Sequence, residues 1–206
     1  MDCSRSIRGI FMKKEIQKLI ESSISIKELI LQDQSVISSI EDLANRSLLA
    51  LQNDGKIILA GNGGSFGDAQ HISAEFTSRF LFDRDALPSI ALGTNGSSIS
   101  AIANDYGYEQ VFARELTAIG SKNDVFIPIT TSGNSKNIIE AIKVAKEMDI
   151  HTVCLTGNDA GMLKGQCESI VVPSSATERI QECHILIGHI ICAIVEASYF
   201  SDAEKT

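Results

Sequence analysis

Lys56-Ile57-Ile58-Leu59-Ala60 runs straight into Gly61-Asn62-Gly63-Gly64-Ser65. The apolar residues of this run do not alternate with polar ones, which fits a strand buried on both faces. Four comparable runs follow, Ser89–Leu92, Asp124–Thr130, Thr152–Leu155 and Ser169–Pro173. The segments between them, Gly67–Phe80, Ser98–Gly120 and Lys136–Met148, have helical spacing, and a last helix is expected over Thr177–Tyr199. Alternating strand and helix predicts an α/β fold, a three-layer sandwich around a five-stranded parallel sheet.

Upstream of this pattern the period is helical. Ile16, Leu19, Ile20, Ile24, Leu29 and Ile30 recur with Lys, Glu and Gln between them. Over Ser35–Asn53, Val36, Ile37, Ile40, Leu43, Leu48 and Leu51 share one side, and Asn53-Asp54-Gly55 ends the helix. No Pro-, Gly- or Ser-rich linker interrupts the chain, so residues 1–206 read as one domain. Its parts are a disordered extension over 1–11, N-terminal helices over 12–53, and an α/β core with terminal helix over 55–200.

Composition excludes several classes. With 44% apolar and 21% charged residues in 206, the chain is neither disordered nor fibrous. A net charge of −8 lacks the field for bulk nucleic-acid binding, although one local pocket can still hold an anion through backbone N–H groups. Five cysteines without a CxxC pair, with Cys154 and Cys192 inside apolar runs, fit a reducing compartment. Met1–Phe11 carries Arg5 and Arg8 but no apolar stretch, unlike a signal peptide. The longest apolar run, near Ile185–Ala197, is broken by Gly188, His189 and Glu196 and is shorter than the ~20 residues that span a bilayer. A cytoplasmic protein without a membrane or nucleic-acid partner is expected.

Ligands of open parallel sheets bind beyond the carboxyl ends of the strands. Four loops there are rich in Gly, Asn and small hydroxyls: Gly61–Ser65, Gly93–Ser98, Thr131–Ser135 and Thr156–Asp159. Turns and helix N-caps use the same residues, so each loop taken singly has a plain structural reading. Nucleotide signatures fail: no Lys follows Gly61–Ser65 as a P-loop requires, and Phe66 stands at the sixth position of a GxGxxG counted from Gly61. Hydroxyls at a helix start, as in Thr131–Ser135, suit a phosphate monoester instead. His71 and Glu75 are i and i+4 on a predicted helix, either a surface pair or a pair facing the pocket. His189, set among Ile, Leu, Gly and Cys, is open to reading as a core histidine held by backbone.

Gly61-Asn62-Gly63-Gly64-Ser65, Asp68-Ala69-Gln70-His71, Ala74-Glu75, Asn104-Asp105-Tyr106-Gly107, Thr131-Ser132-Gly133-Asn134-Ser135 and Arg179-Ile180-Gln181-Glu182 occur in this order. Together they resemble the phosphoheptose isomerase family of the sugar-isomerase (SIS) fold, over about Met12–Ala197. The resemblance implies a single SIS domain and a homotetramer. Its activity would convert sedoheptulose 7-phosphate to glycero-manno-heptose 7-phosphate for bacterial lipopolysaccharide or capsule. It also implies one zinc ion per site, held by His71, Glu75, Gln181 and His189. The chain departs from the family at Thr130, where Ser is usual, at Phe66-Gly67, and at Glu178. A DnaA-binding SIS protein shares much of this pattern but lacks residues equivalent to Glu75 and His189. Sugar-phosphate-sensing regulators join an SIS domain to a helix-turn-helix, and no basic recognition stretch is present here.

Isomerisation through an enediol needs a base, an acid and a fixed phosphate. Glu75 is expected as base and His189 as acid, with the apolar surroundings of His189 favouring its neutral form. Substrate contacts are expected at Asn62, Gly63, Gly64, Ser65, Glu75, Asn104, Asp105, Thr130, Thr131, Ser132, Ser135 and Gln181. On one straight helix, the eight residues from Gln181 to His189 span about 12 Å, too far to meet at one ion. Either Gln181 lies off that helix or the two ligands come from different chains. The apolar character of Ile180–Ala197 on several faces calls for cover by other subunits, an arrangement expected to bring His189 of one chain near His71 of another.

Overall fold

A computed structural model describes the backbone of residues 3–203 and the side chains of residues 12–201. The helices are α1 (Cys3–Gln32), α2 (Gln34–Gln52), α3 (Gly64–Thr77), α4 (Gly96–Tyr106), α5 (Val111–Ile119), α6 (Lys136–Glu147) and α7 (Thr177–Ala203). The strands are β1 (Ile57–Gly61), β2 (Ser89–Ala91), β3 (Val125–Thr130), β4 (His151–Gly157) and β5 (Glu168–Val172). The extension expected over residues 1–11 falls outside the residues described in full, with α1 starting at Cys3.

All five strands run parallel in the order β2-β1-β3-β4-β5. In β1, Ile57 and Leu59 enter one core with residues of α2, α3 and α7. Ile58 and Ala60 enter the other core, with α5 and α6. Both faces of β1 are therefore buried, and the three-layer sandwich is as expected. The strand order reverses between β1 and β3, and the crevice beyond their carboxyl ends is where such sheets place a ligand.

Two local features differ from expectation. The helix expected over Ser98–Gly120 is two helices, broken at Gly107, whose φ of +92° suits glycine. The apolar stretch expected to be too short for a bilayer belongs to a longer one. The helix segment Thr177–Ser201 spans 25 residues and contains an 18-residue stretch of mean hydropathy 1.6, long and apolar enough by length and composition to cross a membrane. Its Ile180, Ile187, Ile191 and Val195 are instead buried in the core against α2, α3 and the sheet.

Candidate active site

The loops after β1 and β3 border the switch point. Gly63 stands at the N-cap of α3 and Ser135 at that of α6, and neither helix start has a side-chain cap. The N–H groups of Gly64, Ser65, Lys136 and Asn137 have no helical partner and can face an anion, while that of Ile138 donates to Asn137 Oδ1 at 3.0 Å. Thr130 Oγ1 and Ser135 Oγ lie 3.1 Å apart, and Thr130 and Ser65 are buried. Thr131 and Ser135 are half-buried and Ser132 is exposed. The Ser132 hydroxyl accepts from the Asn134 N–H at 3.2 Å, and Asn134 Oδ1 accepts from Met162 N at 3.0 Å. Gly133, at φ +66°, comes so close to the neighbouring turn that a Cβ would sit 1.9 Å from the Ala160 carbonyl oxygen. No other residue fits there.

Asn62 and Asn137 exchange amide hydrogen bonds of 2.9 and 2.8 Å, and the Tyr108 hydroxyl donates to Asn62 Oδ1 at 3.2 Å. Asn137 is buried and ties the two loops together. In the sequence it is marked only as a polar residue on the apolar side of the helix after the Thr131–Ser135 loop. A cleft of about 160 Å³ opens between Asn62, Phe66 and Tyr108.

The other two loops have plain roles. Asn95 Oδ1 accepts from Ser97 N and Ser98 N and caps α4. Asp159 accepts from Gly161 N within a turn. Asn104 and Asp105 lie exposed at the end of α4, where Asn104 Nδ2 donates to Asp105 Oδ1 at 2.7 Å. Among the described contacts, none joins them to the histidines.

The side chains of His71, Glu75 and His189 meet between α3 and α7. His71 Nε2 is 3.0 Å from Glu75 Oε1 and 3.1 Å from His189 Nε2. The expectation that His71 and His189 meet across a subunit boundary is corrected, because they meet within one chain. Gly188 makes this possible. A Cβ there would lie 2.4 Å from Ile72 Cδ1, so its absence lets α7 approach α3. His189 is half-buried, with one ring face stacked on Phe80 at 5.4 Å. The role of a core histidine falls to His184, which is fully buried with Nε2 3.1 Å from the Thr156 carbonyl oxygen. Burial holds its pKa down at about 4. Asp68, one turn before His71, has a buried Oδ2 without a hydrogen-bond partner. Burial raises its pKa, with the His71 and His189 rings acting in the opposite direction.

Among the described residues, one ligand atom each from His71, Glu75 and His189 lies within 4.8 Å of the others. A single hydrogen on His71 Nε2 can serve only one of its two neighbours, so lone pairs converge there. Two imidazoles and a carboxylate suit zinc, whose tetrahedral bonds of about 2 Å separate ligand atoms by about 3.3 Å. Gln181 does not join them. It lies on the same continuous helix as His189, with Nε2 2.6 Å from where a Gly64 Cβ would stand, beside the start of α3. A second grouping, Asp42, His151 and Glu168, is at the opposite end of the sheet, where Arg46 already pairs with Asp42 at 2.9 Å. Arg179 and Glu182 join α7 to α1. Arg179 donates to the Leu19 carbonyl at 3.1 Å, and Glu182 accepts from Ser23 Oγ at 2.6 Å.

Residues 21–157 match the SIS domain family. A phosphoheptose isomerase of Aneurinibacillus thermoaerophilus is 53% identical over 190 residues, covering 92% of this chain and 96% of the relative. The solved structure of a phosphoheptose isomerase from Neisseria gonorrhoeae is 39% identical and superposes with a TM-score of 0.82, covering 90% of this chain and 99% of that one. The structure of one from Francisella tularensis is 34% identical with a TM-score of 0.85, covering 90% and 98%. The chain belongs to the SIS-domain family and, within it, to the phosphoheptose isomerases.

Proposed function

We propose that this chain interconverts D-sedoheptulose 7-phosphate and D-glycero-D-manno-heptose 7-phosphate by moving a proton between C1 and C2, with Glu75 as base and His189 as acid. The observation that carries this reading is the convergence of Glu75 and His71, on the helix that starts at the Gly-rich loop after β1, with His189 in one chain. The phosphate binds at the starts of α3 and α6, to Ser65, Ser132 and Ser135 and the N–H groups of residues 62–65 and 131–135. Thr130 and Thr131 line the same loop, Asn62 is held in place by Asn137, and Asn104, Asp105 and Gln181 contribute further sugar contacts. Glu75 takes the proton from the carbon while His189 passes one between the oxygens, so no outside acid is needed.

His71, Glu75 and His189 would hold a zinc ion, which would supply Lewis acidity toward the substrate oxygens. Glu75 would be one of the ligands of that ion as well as the base. Gln181, the fourth ligand that the resemblance implies, stands apart from these three in one chain, beside Gly64. Assembly as a tetramer is supported by unburied apolar surface. Met12, Ile16, Leu19, Ile20 and Ile24 of α1 and Leu186 and Ile194 of α7 are all exposed in the single chain. The protein is soluble and cytoplasmic, and its product supplies heptose for bacterial lipopolysaccharide or capsule.

Kinetics of two variants test the assignment. Glu75→Gln and His189→Asn are each expected to lower kcat at least ~100-fold. Near-normal turnover in either would overturn it.

A further inference from the structure

The segment between α3 and β2 is tied down by one buried ion pair. Arg84 and Glu196 side chains are 2% and 1% exposed, with Arg84 Nε 2.9 Å from Glu196 Oε1. Every remaining polar group of the pair is used on backbone. Arg84 Nη2 donates to the Glu75 carbonyl at 2.7 Å. Nη1 donates to the carbonyls of Phe76 at 2.6 Å, Ser78 at 2.9 Å and Asp85 at 3.0 Å. Glu196 Oε1 accepts from Phe80 N at 2.8 Å and Oε2 from Leu81 N at 2.7 Å.

These bonds reach both halves of the acid–base pair. The last turn of α3 leaves carbonyls without helical partners, and a cation there also opposes the helix dipole. Arg84 holds two of them, including that of Glu75 itself. Glu196 holds the N–H of Phe80, whose ring stacks on His189. Glu196 also lies on α7, two turns beyond His189, so the pair joins the helix carrying the acid to the end of the helix carrying the base. Apolar residues of equal volume can often replace a buried ion pair without loss of stability. They could not serve the carbonyls of Glu75, Phe76 and Ser78 or the N–H groups of Phe80 and Leu81. The distinctive contribution of the pair is therefore geometric.

We propose that Arg84 and Glu196 are positioning residues for the isomerisation: a buried clamp that fixes the end of α3 behind Glu75 and seats Phe80 against His189. This rests on the reading of Glu75 and His189 as the acid–base pair. The clamp touches neither phosphate-binding loop, so its loss is felt in turnover rather than in substrate affinity.

The test uses the full-length chain with Arg84→Lys, which keeps the charge but loses the planar fork, and Glu196→Gln, which keeps the shape but loses the charge. Each is assayed well below its unfolding midpoint, with kcat taken per folded chain by circular dichroism. A displacement of the reacting groups by about 1 Å is expected to lower kcat ~10- to 100-fold, with KM within ~2-fold of the parent. A lower Tm with unchanged kcat per folded chain would show a purely structural role and overturn the proposal. If both variants fail to fold, Phe80→Leu carries the test. It leaves the ion pair intact and removes the ring against His189, and an unchanged kcat there overturns the proposal too. Glu75→Gln and His189→Asn are run alongside. Retained turnover in those two would refute the acid–base reading itself. Their loss combined with normal clamp variants would refute the clamp alone.

Discussion

His184 makes the stability of this fold depend on pH in a calculable way. The ring is 0% exposed. Its Nε2 faces the Thr156 carbonyl at 3.1 Å, while Nδ1 is buried without a partner. A second proton on the ring would find no acceptor, and burial lowers the pKa from 6.5 to about 4. Because the folded value lies below the unfolded one, the unfolded chain binds the proton first as pH falls. The neutral ring therefore contributes stability that is fully present above pH 6.5 and is lost progressively down to about pH 4. At about 1.4 kcal/mol per pH unit, the whole interval is worth about 3 kcal/mol. The perturbation is His184→Gln, whose amide can still donate to Thr156 but does not titrate. Urea unfolding of both proteins, at equal concentration, would be compared at pH 7.5 and 4.5. The parent should lose about 2 to 3 kcal/mol more than the variant between these pH values. Carboxylates held below their usual range, such as Glu182 beside Ser23, lose stability in acid alike in both proteins and cancel in the difference. Equal acid losses in the two proteins would refute the argument from the buried ring.

Other perturbations probe separate parts of the site. Ser135→Ala should raise KM more than it lowers kcat, because the phosphate is bound alike in ground and transition states; unchanged KM would argue against phosphate at the β3 loop. Metal analysis of protein purified without chelator should find about one zinc per chain. Chelation or His71→Ala should remove both metal and activity, whereas full activity in metal-free protein would end the zinc reading. Gly188→Ala places a methyl group against Ile72 and should cost about 1–3 kcal/mol as well as separating His71 from His189. Thermal unfolding and kcat would both record it, and wild-type values in both would contradict the close approach of α3 and α7.

Much of the fold was legible because both faces of the sheet are covered. The continuous apolar run Lys56–Ala60 could hardly be anything but an inner strand, and β1 alternates its residues between two cores. The order β2-β1-β3-β4-β5 was not legible, since strand neighbours are chosen by contacts far apart in sequence. In the site, the i, i+4 spacing of His71 and Glu75 was visible along the chain. Their approach to His189 was expected only from the family resemblance and across a subunit boundary; that it occurs within one chain was not legible, because the register of α3 on α7 is decided by Gly188 lying against Ile72. The roles of Asn137, Arg84 and His184 were not legible for a related reason. Each is a buried polar group whose role is defined by a partner more than seven residues away: Asn62, Glu75 and Thr156.

Direct observation of the reaction tests the central claim. The purified full-length chain, incubated with sedoheptulose 7-phosphate and no added redox cofactor, would be followed by proton NMR at the anomeric signals. The account predicts growth of aldoheptose 7-phosphate signals until ketose and aldose reach equilibrium, from either direction. Ketose that remains unchanged in the presence of the folded, zinc-loaded protein would contradict it.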